Sequence, residues 1–286
     1  PAARRCKGSA TPQSRSDLAC HLRQRAPKRC QLGHTDLASS APKVAFHTQH
    51  NQFLALNGKQ IRQLGSISSG RPGAAHVSEE EELGRIVPII ELLTKEFPVI
   101  QISVDTFRSK VAAECIQYGA SLINDISAGL LDEQMLSTVA KLKAPYIMMH
   151  MKGDPKSMQS KTEYQNLIND IRKYFSERLR LAKDLGIVDI VVDPGFGFAK
   201  SLEQNYELLS NLELFKNIEH PLLVGVSRKS MIYKLLDKQP EEALNGTTAL
   251  NMAALLKGAN ILRVHDVKEA VECVKLAEQL KSEFIS

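Results

Sequence analysis

Short apolar runs alternate with amphipathic stretches along this chain from about residue 78 onward, and this alternation limits what the chain can fold into. The apolar runs are nearly continuous, which is typical of parallel strands buried on both faces of a sheet. Six strands with following helices predict an α/β barrel or a doubly wound sheet. The predicted strands cover residues 99–106, 121–127, 145–150, 189–193, 221–227 and 260–265, and the predicted helices cover 108–118, 132–142, 162–185, 201–215, 243–257 and 268–282.

The sequence also predicts an earlier helix, because a helix-capping pattern precedes it. Ser78 precedes four glutamates, and Glu81 stands three residues after it. A serine and an acidic residue at this spacing are typical of a capping box, in which each side chain accepts a hydrogen bond from the other residue's backbone N–H. We therefore expect a helix over VSEEEELGRIVPIIELLTKEF, with Ser78 as its N-cap.

The first 70 residues have a different composition. They contain eleven Lys and Arg residues against two Asp and Glu residues, and only 52–56 (QFLAL) is a weak strand candidate. We therefore treat 1–70 as an atypical basic segment and 71–286 as the α/β domain. A shifted reading frame upstream of about residue 70 is our leading explanation. A presequence, a disordered tail and a two-stranded element formed from residues 44–68 are the alternatives.

The net charge of +5 arises in that first segment, because residues 71–286 hold 26 Lys and Arg residues against 30 Asp and Glu residues. The α/β domain is therefore mildly acidic and predicts no nucleic-acid partner. No run of eighteen apolar residues and no secretory signal occur, so we expect no membrane partner. The five cysteines form no C-x-x-C pair, and a reducing, cytoplasmic location fits them best.

Polar side chains stand at the carboxyl end of each predicted strand. Such groups cost desolvation free energy unless they are paired or bind a ligand. A barrel brings all its strand ends to one face, whereas a doubly wound sheet brings only some of them together. Single members also have structural explanations, since Asp105 could cap a helix and His150 could be a structural histidine. The strand-end residues are Asp105, Asn124, Asp125, Met149, His150, Asp193, Ser227, Arg228, Lys229, Arg263, His265 and Asp266.

The types of residue at these strand ends indicate a ligand. Two carboxylates, an amide and a lysine suit a flat heterocycle with several donors and acceptors. Arg263 and His265 alternate across Val264, so both leave one face of their strand, where a cationic pair suits a phosphate or diphosphate. In VVDPGFGFAK, residues 191–200, we expect the glycines to let a loop pass close to a ligand held by Asp193.

Several ordered motifs resemble the dihydropteroate synthase family. They are RPGAAHVSEEEE, SVDTFRSKVAAECIQYGASLINDIS, PYIMMHMKGDP, VVDPGFGFAK, LLVGVSRKS and ILRVHDV, and the resemblance covers about residues 71–282. It implies a (β/α)8 barrel of TIM type and an enzyme of folate biosynthesis. That enzyme joins 4-aminobenzoate to 6-hydroxymethyl-7,8-dihydropterin diphosphate and releases diphosphate and 7,8-dihydropteroate. The resemblance also implies assistance by Mg²⁺ and a homodimer.

The resemblance also implies roles for individual residues of this chain. Lys229, Arg263 and His265 would be the catalytic groups, and they would act by orientation and charge stabilisation, not as nucleophiles. By the family's pattern, the pterin would be bound by Asp105, Asn124, Met149, Asp193, Phe198, Gly225 and Lys229, the diphosphate by Arg263 and His265, and 4-aminobenzoate by Arg71 and Ser230.

The chain departs from the family's pattern upstream of Arg71. The family's first strand carries N-V-T-P-D-S-F-x-D-G-G, whose asparagine binds the metal, and this chain lacks that signature, so the metal ligand is unknown. Two alternatives stay open. One is a pterin-binding methyltransferase, although it would be expected to lack the SRKS and RVH motifs at 227–230 and 263–265. The other is an inactive pterin-binding remnant.

Overall fold

The computed structural model describes residues 52–56, 59–65, 77–155 and 157–282, and within 52–65 and at 159, 281 and 282 it describes the backbone alone. Eight strands lie in these ranges and form one sheet. They are β1 (Gln52–Leu56), β2 (Lys59–Gly65), β3 (Ile102–Asp105), β4 (Leu122–Asp125), β5 (Tyr146–Met149), β6 (Ile190–Asp193), β7 (Leu223–Val224) and β8 (Ile261–Val264).

The helices of the same ranges follow the predicted alternation, and none of them is long and apolar enough to cross a membrane. The helix predicted over 201–215 is shorter than expected, because its second half is a 3₁₀ turn. The helices are α1 (Glu79–Glu96), α2 (Ser109–Gln117), α3 (Met135–Leu142), α4 (Leu167–Asp184), α5 (Leu202–Ser210), α6 (Ser230–Tyr233), α7 (Leu244–Leu256) and α8 (Val267–Ser282), with 3₁₀ turns at Met158–Ser160, Leu212–Ile218 and Pro240–Glu242.

The start of α1 agrees with its predicted cap in one half only. The Oγ atom of Ser78 accepts a hydrogen bond from the Glu81 N–H at 3.2 Å. The Glu81 carboxylate, however, accepts a bond from the Arg85 guanidinium at 2.5 Å. An i,i+4 ion pair therefore takes the place of the second half of the capping box.

The sheet closes into a barrel. Its strand order is β6-β5-β4-β3-β2-β1-β8-β7, and a parallel bridge between Val192 of β6 and Leu222, next to β7, joins the two ends. The Val192 N–H also donates to the Pro221 carbonyl at 2.9 Å. The predicted barrel is therefore confirmed, and the doubly wound alternative is wrong.

The first two strands form an antiparallel hairpin, with Leu56 paired to Lys59. β1 is antiparallel to β8 as well, whereas the remaining pairs of neighbouring strands are parallel. The six predicted strands would have left two open edges, and residues 52–65 fill that gap as the two-stranded alternative expected. The origin of the basic segment before them stays a hypothesis, because residues 1–51 lie outside the described ranges.

Alternate residues along the strands divide the core into two layers. Outward side chains pack under the helices, as Val104 and Ile123 do with Val111 of α2. Inward side chains form a smaller cluster inside the barrel, and they are Leu122, Ile147, Val191, Leu223 and Ile261. Because side chains two residues apart share a face of a strand, this inner layer fixes which later residues also point inward.

Candidate active site

The next inward position on each strand carries a predicted site residue. Because each lies two residues beyond a member of the inner layer, these side chains line the barrel at the carboxyl ends of its strands. They are Asn124, Met149, Asp193, Gly225 and Arg263. Asp105 joins them, since it pairs with Asn124 across β3 and β4. The structure therefore brings six predicted residues to one end of the barrel.

Asp105 and Arg263 form an ion pair across this opening. Arg263 Nη2 donates to Asp105 Oδ2 at 2.9 Å, and only 16% and 14% of the two side chains are exposed. Removing either partner would leave a largely buried charge without its counterion, which is strongly destabilising. Asp105 does not cap α2, whose N-cap residue is Arg108. The capping alternative for Asp105 is therefore wrong.

Two buried polar atoms lie on the same inward ring. Asn124 Oδ1 and Arg263 Nε have no hydrogen-bond partner within the described part of the chain. Leaving a buried polar group unpaired costs about 1–3 kcal/mol. A ligand that gives Asn124 a donor and Arg263 an acceptor would recover that free energy, so both atoms fit a bound polar molecule.

Asp193 is a buried carboxylate at the end of β6, with 4% of the residue exposed. One of its oxygens accepts a hydrogen bond from the Gly195 N–H at 2.8 Å. Burial raises its pKa, while the positive charge of Lys229 and the bond from Gly195 oppose the rise. Asp193 is thus a buried acceptor whose charge is balanced chiefly by a lysine.

Lys229 approaches the same position from the loop before α6. Its Nζ donates to the Phe196 carbonyl and lies 5.0 Å from the centroid of the Phe198 ring. Burial lowers its pKa to about 8, and the Asp193 charge opposes this effect. An aromatic face, a carboxylate and a lysine therefore converge where the pterin ring is predicted to bind.

The glycines of PGFGF allow close approach to protein groups as well as the predicted approach to a ligand. Gly195 has φ +73°, and a Cβ atom there would lie 2.1 Å from the His150 carbonyl oxygen. Gly197 has φ +79°, and its Cβ would meet Lys229 Cδ at 3.3 Å. The glycines therefore allow close contact with the end of β5 and with Lys229. The approach of the loop to a ligand held by Asp193 stays a prediction.

His265 is held by a serine and stands beside an arginine. Ser227 Oγ accepts the His265 backbone N–H at 3.2 Å and lies 2.9 Å from His265 Nδ1. Arg228 binds the Asp266 carboxylate through two bonds of 3.0 and 2.5 Å. Burial and the Arg228 charge lower the pKa of His265 to about 4. His265 is therefore neutral near pH 7, and its Nδ1 is engaged by the serine hydroxyl.

The remaining predicted residues have simpler surroundings. Met149 packs in a small apolar cluster, against which the Phe198 ring also packs. A Cβ atom at Gly225 would meet Arg263 Cβ at 3.4 Å, so this glycine lies against the arginine stem. Ser230 is half-buried at the start of α6, directly after Lys229. Arg71 lies outside the described residues, and its role stays a prediction.

Comparisons with known proteins agree with this arrangement. A family profile described as "Pterin binding enzyme" matches residues 49–265. The dihydropteroate synthase of Synechocystis is 45% identical over 226 residues, which are 78% of this chain and 78% of that protein. The Escherichia coli K12 enzyme of the same name is 42% identical over 80% of this chain and 81% of its own length. A crystal structure of Yersinia pestis dihydropteroate synthase with a sulfonamide drug superposes with a TM-score of 0.73 at 43% identity, covering 77% of this chain and 80% of that one.

The chain belongs to the dihydropteroate synthase family. It is therefore a transferase of folate biosynthesis, and the methyltransferase alternative is not favoured. The family profile begins upstream of residue 71, where the recognisable motifs begin, and takes in both strands of the hairpin.

One polar strand-end residue in this dihydropteroate synthase family member is structural. Asp125 is fully buried, and its carboxylate accepts four hydrogen bonds of 2.6–2.8 Å. The donors are the N–H and hydroxyl of Ser127, the N–H of Gly129 and the hydroxyl of Tyr146. Asp125 therefore holds the turn after β4, while its neighbour Asn124 faces the site.

Sequence reasoning missed Lys200, which is 93% buried beside the glycine loop, with only 7% exposed. Its Nζ lies 3.1 Å from Nδ1 of His150, and the two side chains form a buried pair. His150 also packs edge-on against the Tyr174 ring at 4.8 Å. His150 is therefore a structural histidine, as its alternative explanation predicted. The one sequence signal for Lys200 was its place directly after PGFGFA.

Proposed function

We propose that this chain condenses 6-hydroxymethyl-7,8-dihydropterin diphosphate with 4-aminobenzoate to give 7,8-dihydropteroate and diphosphate. The observation that carries the proposal is the inward ring at the carboxyl ends of the strands. In that ring Asn124 presents an unpaired buried oxygen beside the Asp105–Arg263 ion pair. Family membership supplies the reaction, and the ring supplies groups that suit its substrates.

The pterin ring would form hydrogen bonds along its edge and apolar contacts at its two faces. Asn124 Oδ1 and the Asp193 carboxylate are acceptors for the N–H groups of a 2-amino-pyrimidinone, and Lys229 is a donor for its carbonyl. Met149 and Phe198 offer apolar and aromatic surface to the ring faces. Because Asn124 and Asp193 are buried, a ring that lacked the matching donors would leave Asn124 Oδ1 unpaired and Asp193 with only its protein partners, which gives the site its selectivity.

The diphosphate would be bound by Arg263 and His265. The bond between the pterin methylene carbon and the diphosphate oxygen breaks, and its electron pair leaves with the diphosphate. Arg263 carries a positive charge, and the His265 ring, held by Ser227 at Nδ1, would donate to the diphosphate through Nε2. Both groups stabilise the charge that develops on the leaving oxygens.

The second substrate completes the reaction. The amine nitrogen of 4-aminobenzoate forms a bond to the methylene carbon and then loses one proton to solvent. Ser230, at the start of α6, and Arg71 are proposed as its contacts from the family pattern. The chain's own contribution to this step is orientation of the two reactants, which is worth a large part of the rate in such reactions.

Magnesium is a proposal that comes from the family, and the described residues do not form a site for it. Within those residues no group of three or more His, Cys, Asp or Glu could hold a metal ion. Asp105 already binds Arg263, one of the proposed diphosphate ligands. Mg²⁺ usually keeps several waters and binds substrate phosphates with few protein ligands. Each step of the proposed reaction therefore depends on the chain's own residues.

A homodimer and a cytoplasmic location are further proposals on family grounds. Light scattering on a size-exclusion column would test the first, with a mass near 63 kDa, twice the 31.7 kDa of the chain, as the expected result. Fractionation of the source cells would test the second.

A coupled assay of diphosphate release tests the proposed reaction. We expect release that needs both substrates and that falls at least tenfold in Arg263→Ala. Lys268→Ala, an exposed lysine of α8, is the control and should leave the rate unchanged. Diphosphate release that does not depend on 4-aminobenzoate would contradict the proposal. No release although the protein binds pterin would also contradict it and would support the inactive remnant.

A further inference from the structure

The loop at residues 194–199 forms one wall of the proposed pterin site. The carbonyl of Phe196 accepts a hydrogen bond from Lys229, and the Phe198 ring lies under the same ammonium. Ala199 packs in the cluster that contains Met149. The positions of a lysine and an aromatic ring in the site therefore depend on where this loop lies.

Lys200 fastens the loop through three contacts. Its buried Nζ donates to the carbonyls of Gly195 at 2.9 Å and Phe198 at 3.0 Å, and it lies 3.1 Å from Nδ1 of His150. The two carbonyls belong to the loop, whereas His150 directly follows β5. Lys200 thus joins both ends of the loop to the neighbouring strand.

The chemistry of an ammonium group matches these contacts. It has three N–H donors and no acceptor, so it can serve two carbonyls and one imidazole nitrogen at once. That requires His150 to be neutral with its proton on Nε2, and burial together with the Lys200 charge holds the pKa of His150 well below its usual value. A neutral amine has two N–H donors and one lone pair, so it could keep the third contact only if His150 carried its proton on Nδ1 and donated it to the amine.

Other groups restrain the loop at single points. The Gly195 N–H donates to Asp193, the Gly197 N–H donates to Asn205 at 2.7 Å, and the Tyr164 hydroxyl donates to the Ala199 carbonyl at 2.9 Å. None of these three bonds links the loop to the end of β5. The contacts of Lys200 therefore restrain the loop toward the end of β5, where these three bonds do not hold it.

Charged neighbours act on Lys200 from several elements. Asp193 at the end of β6 favours the ammonium, and Lys229 before α6 opposes it. The positive charge of Lys152, beyond β5, lowers the pKa of His150, as the charge of Lys200 does. Burial is the largest influence and lowers the pKa of Lys200 to about 7.

We propose that Lys200 is a positioning residue for the pterin site, because its ammonium fixes the loop at 194–199 against the end of β5 and so sets where Lys229 and Phe198 lie. The inference rests on the proposed function, since the pocket is taken to bind a pterin. Lys200 does not touch the substrate in this role, and its effect on binding passes through the loop.

The first test measures the loop without any ligand. Lys200→Met keeps the length of the side chain and removes the ammonium, and Lys200→Gln keeps two N–H donors. We expect the backbone amides of Gly197 and Phe198 to exchange hydrogen at least tenfold faster in Lys200→Met, while amides of the other strands keep their rates. Lys268→Met is the matched control for loss of a lysine. If Lys200→Met does not fold, Lys200→Gln decides, with an expected increase of about threefold. Unchanged exchange of the loop amides would overturn the inference.

The second test measures the site. We expect calorimetry with 6-hydroxymethylpterin to show at least tenfold weaker binding by Lys200→Met. The KM for the pterin diphosphate should rise by a similar factor, and kcat at saturation should change less than threefold. A variant that binds the pterin as the wild type does would overturn the inference even if its loop exchanges faster. A wild-type protein that binds no pterin would overturn the proposed function instead, so the two failures are distinguishable.

Discussion

Gly195 offers the sharpest test of how the glycine loop is built, because the chain contains a matched control. Gly195 and Gly186 both have left-handed backbone conformations, with φ +73° and +80°. A Cβ atom at Gly186 would meet nothing within 4 Å, whereas one at Gly195 would lie 2.1 Å from the His150 carbonyl oxygen. Alanine would therefore suffer the same backbone strain at both positions, but only at Gly195 would its Cβ atom overlap another atom.

The magnitudes follow from these distances. Left-handed strain costs an alanine about 1–2 kcal/mol at either position. Cβ atoms essentially never come closer than 3.0 Å to another atom, and the obstacle at Gly195 is backbone, so a flexible side chain cannot relieve it. The added overlap should cost about 1–3 kcal/mol more. The loop also has to move by about 1 Å, a displacement that can reduce activity by about a hundredfold.

Two measurements check this prediction. Urea unfolding followed by circular dichroism should show a loss of about 1–2 kcal/mol for Gly186→Ala and about 2–5 kcal/mol for Gly195→Ala. Calorimetry with a pterin should show unchanged affinity for the first variant and at least tenfold weaker binding for the second. Equal losses of stability in the two variants, or equal pterin affinities, would refute the argument from close approach.

Three further predictions concern the site. Asp193→Asn and Lys229→Ala should each weaken pterin binding by about 1–3 kcal/mol, or about fivefold to 150-fold, because each leaves buried partners unpaired; calorimetry checks this, with Lys268→Ala as the control. Because the pKa of Lys229 is about 8, pterin affinity should fall as pH rises from about 7 to 9, and Lys229→Ala should show a smaller fall. In the unfolded chain this lysine has a pKa near 10.5, so between pH 7 and 9 the unfolded state binds more protons than the folded state. The contribution of Lys229 to folding stability therefore rises with pH over this range. Loss of a proton from Lys229 does not unfold the protein, so unfolding through this group does not explain a fall in affinity. Ser227→Ala should lower kcat/KM for diphosphate release about tenfold with pterin affinity unchanged, because His265 loses the hydroxyl that orients its ring; a Ser227→Ala enzyme with normal kcat/KM would remove this role.

The strand ends could be predicted from the sequence because each combines an apolar run with a polar residue two positions beyond an inward apolar one. Asn124 after Leu122 and Asp193 after Val191 follow this rule. The strand predicted over 221–227 is shorter in the structure, because Arg228 adopts φ 53° and the Lys229 N–H donates back to Val226. That turn depends on tertiary contacts and left no periodic signal.

Burial of charged groups was the part that the sequence could not reveal. Among four consecutive glutamates at the start of α1, Glu82 alone is fully buried, where it binds Arg108 from the loop after β3. Lys200 is buried because His150 and two loop carbonyls surround it. Partners so far away in the chain leave no mark on the local pattern.

The antiparallel direction of β1 has a consequence for the order of folding. Leu56 and Lys59 pair although only two residues separate them in the chain, so this part of the barrel can form within about 1–10 μs, without waiting for a helical crossover. The other edge of β1 pairs Phe53 with Val264, which are more than two hundred residues apart in the chain. Closing so long a loop carries the largest entropic cost in the sheet. We therefore expect the hairpin to join β3 early and the seam between β1 and β8 to close last, so that a chain shortened before β8 would expose the hairpin's outer edge to other chains.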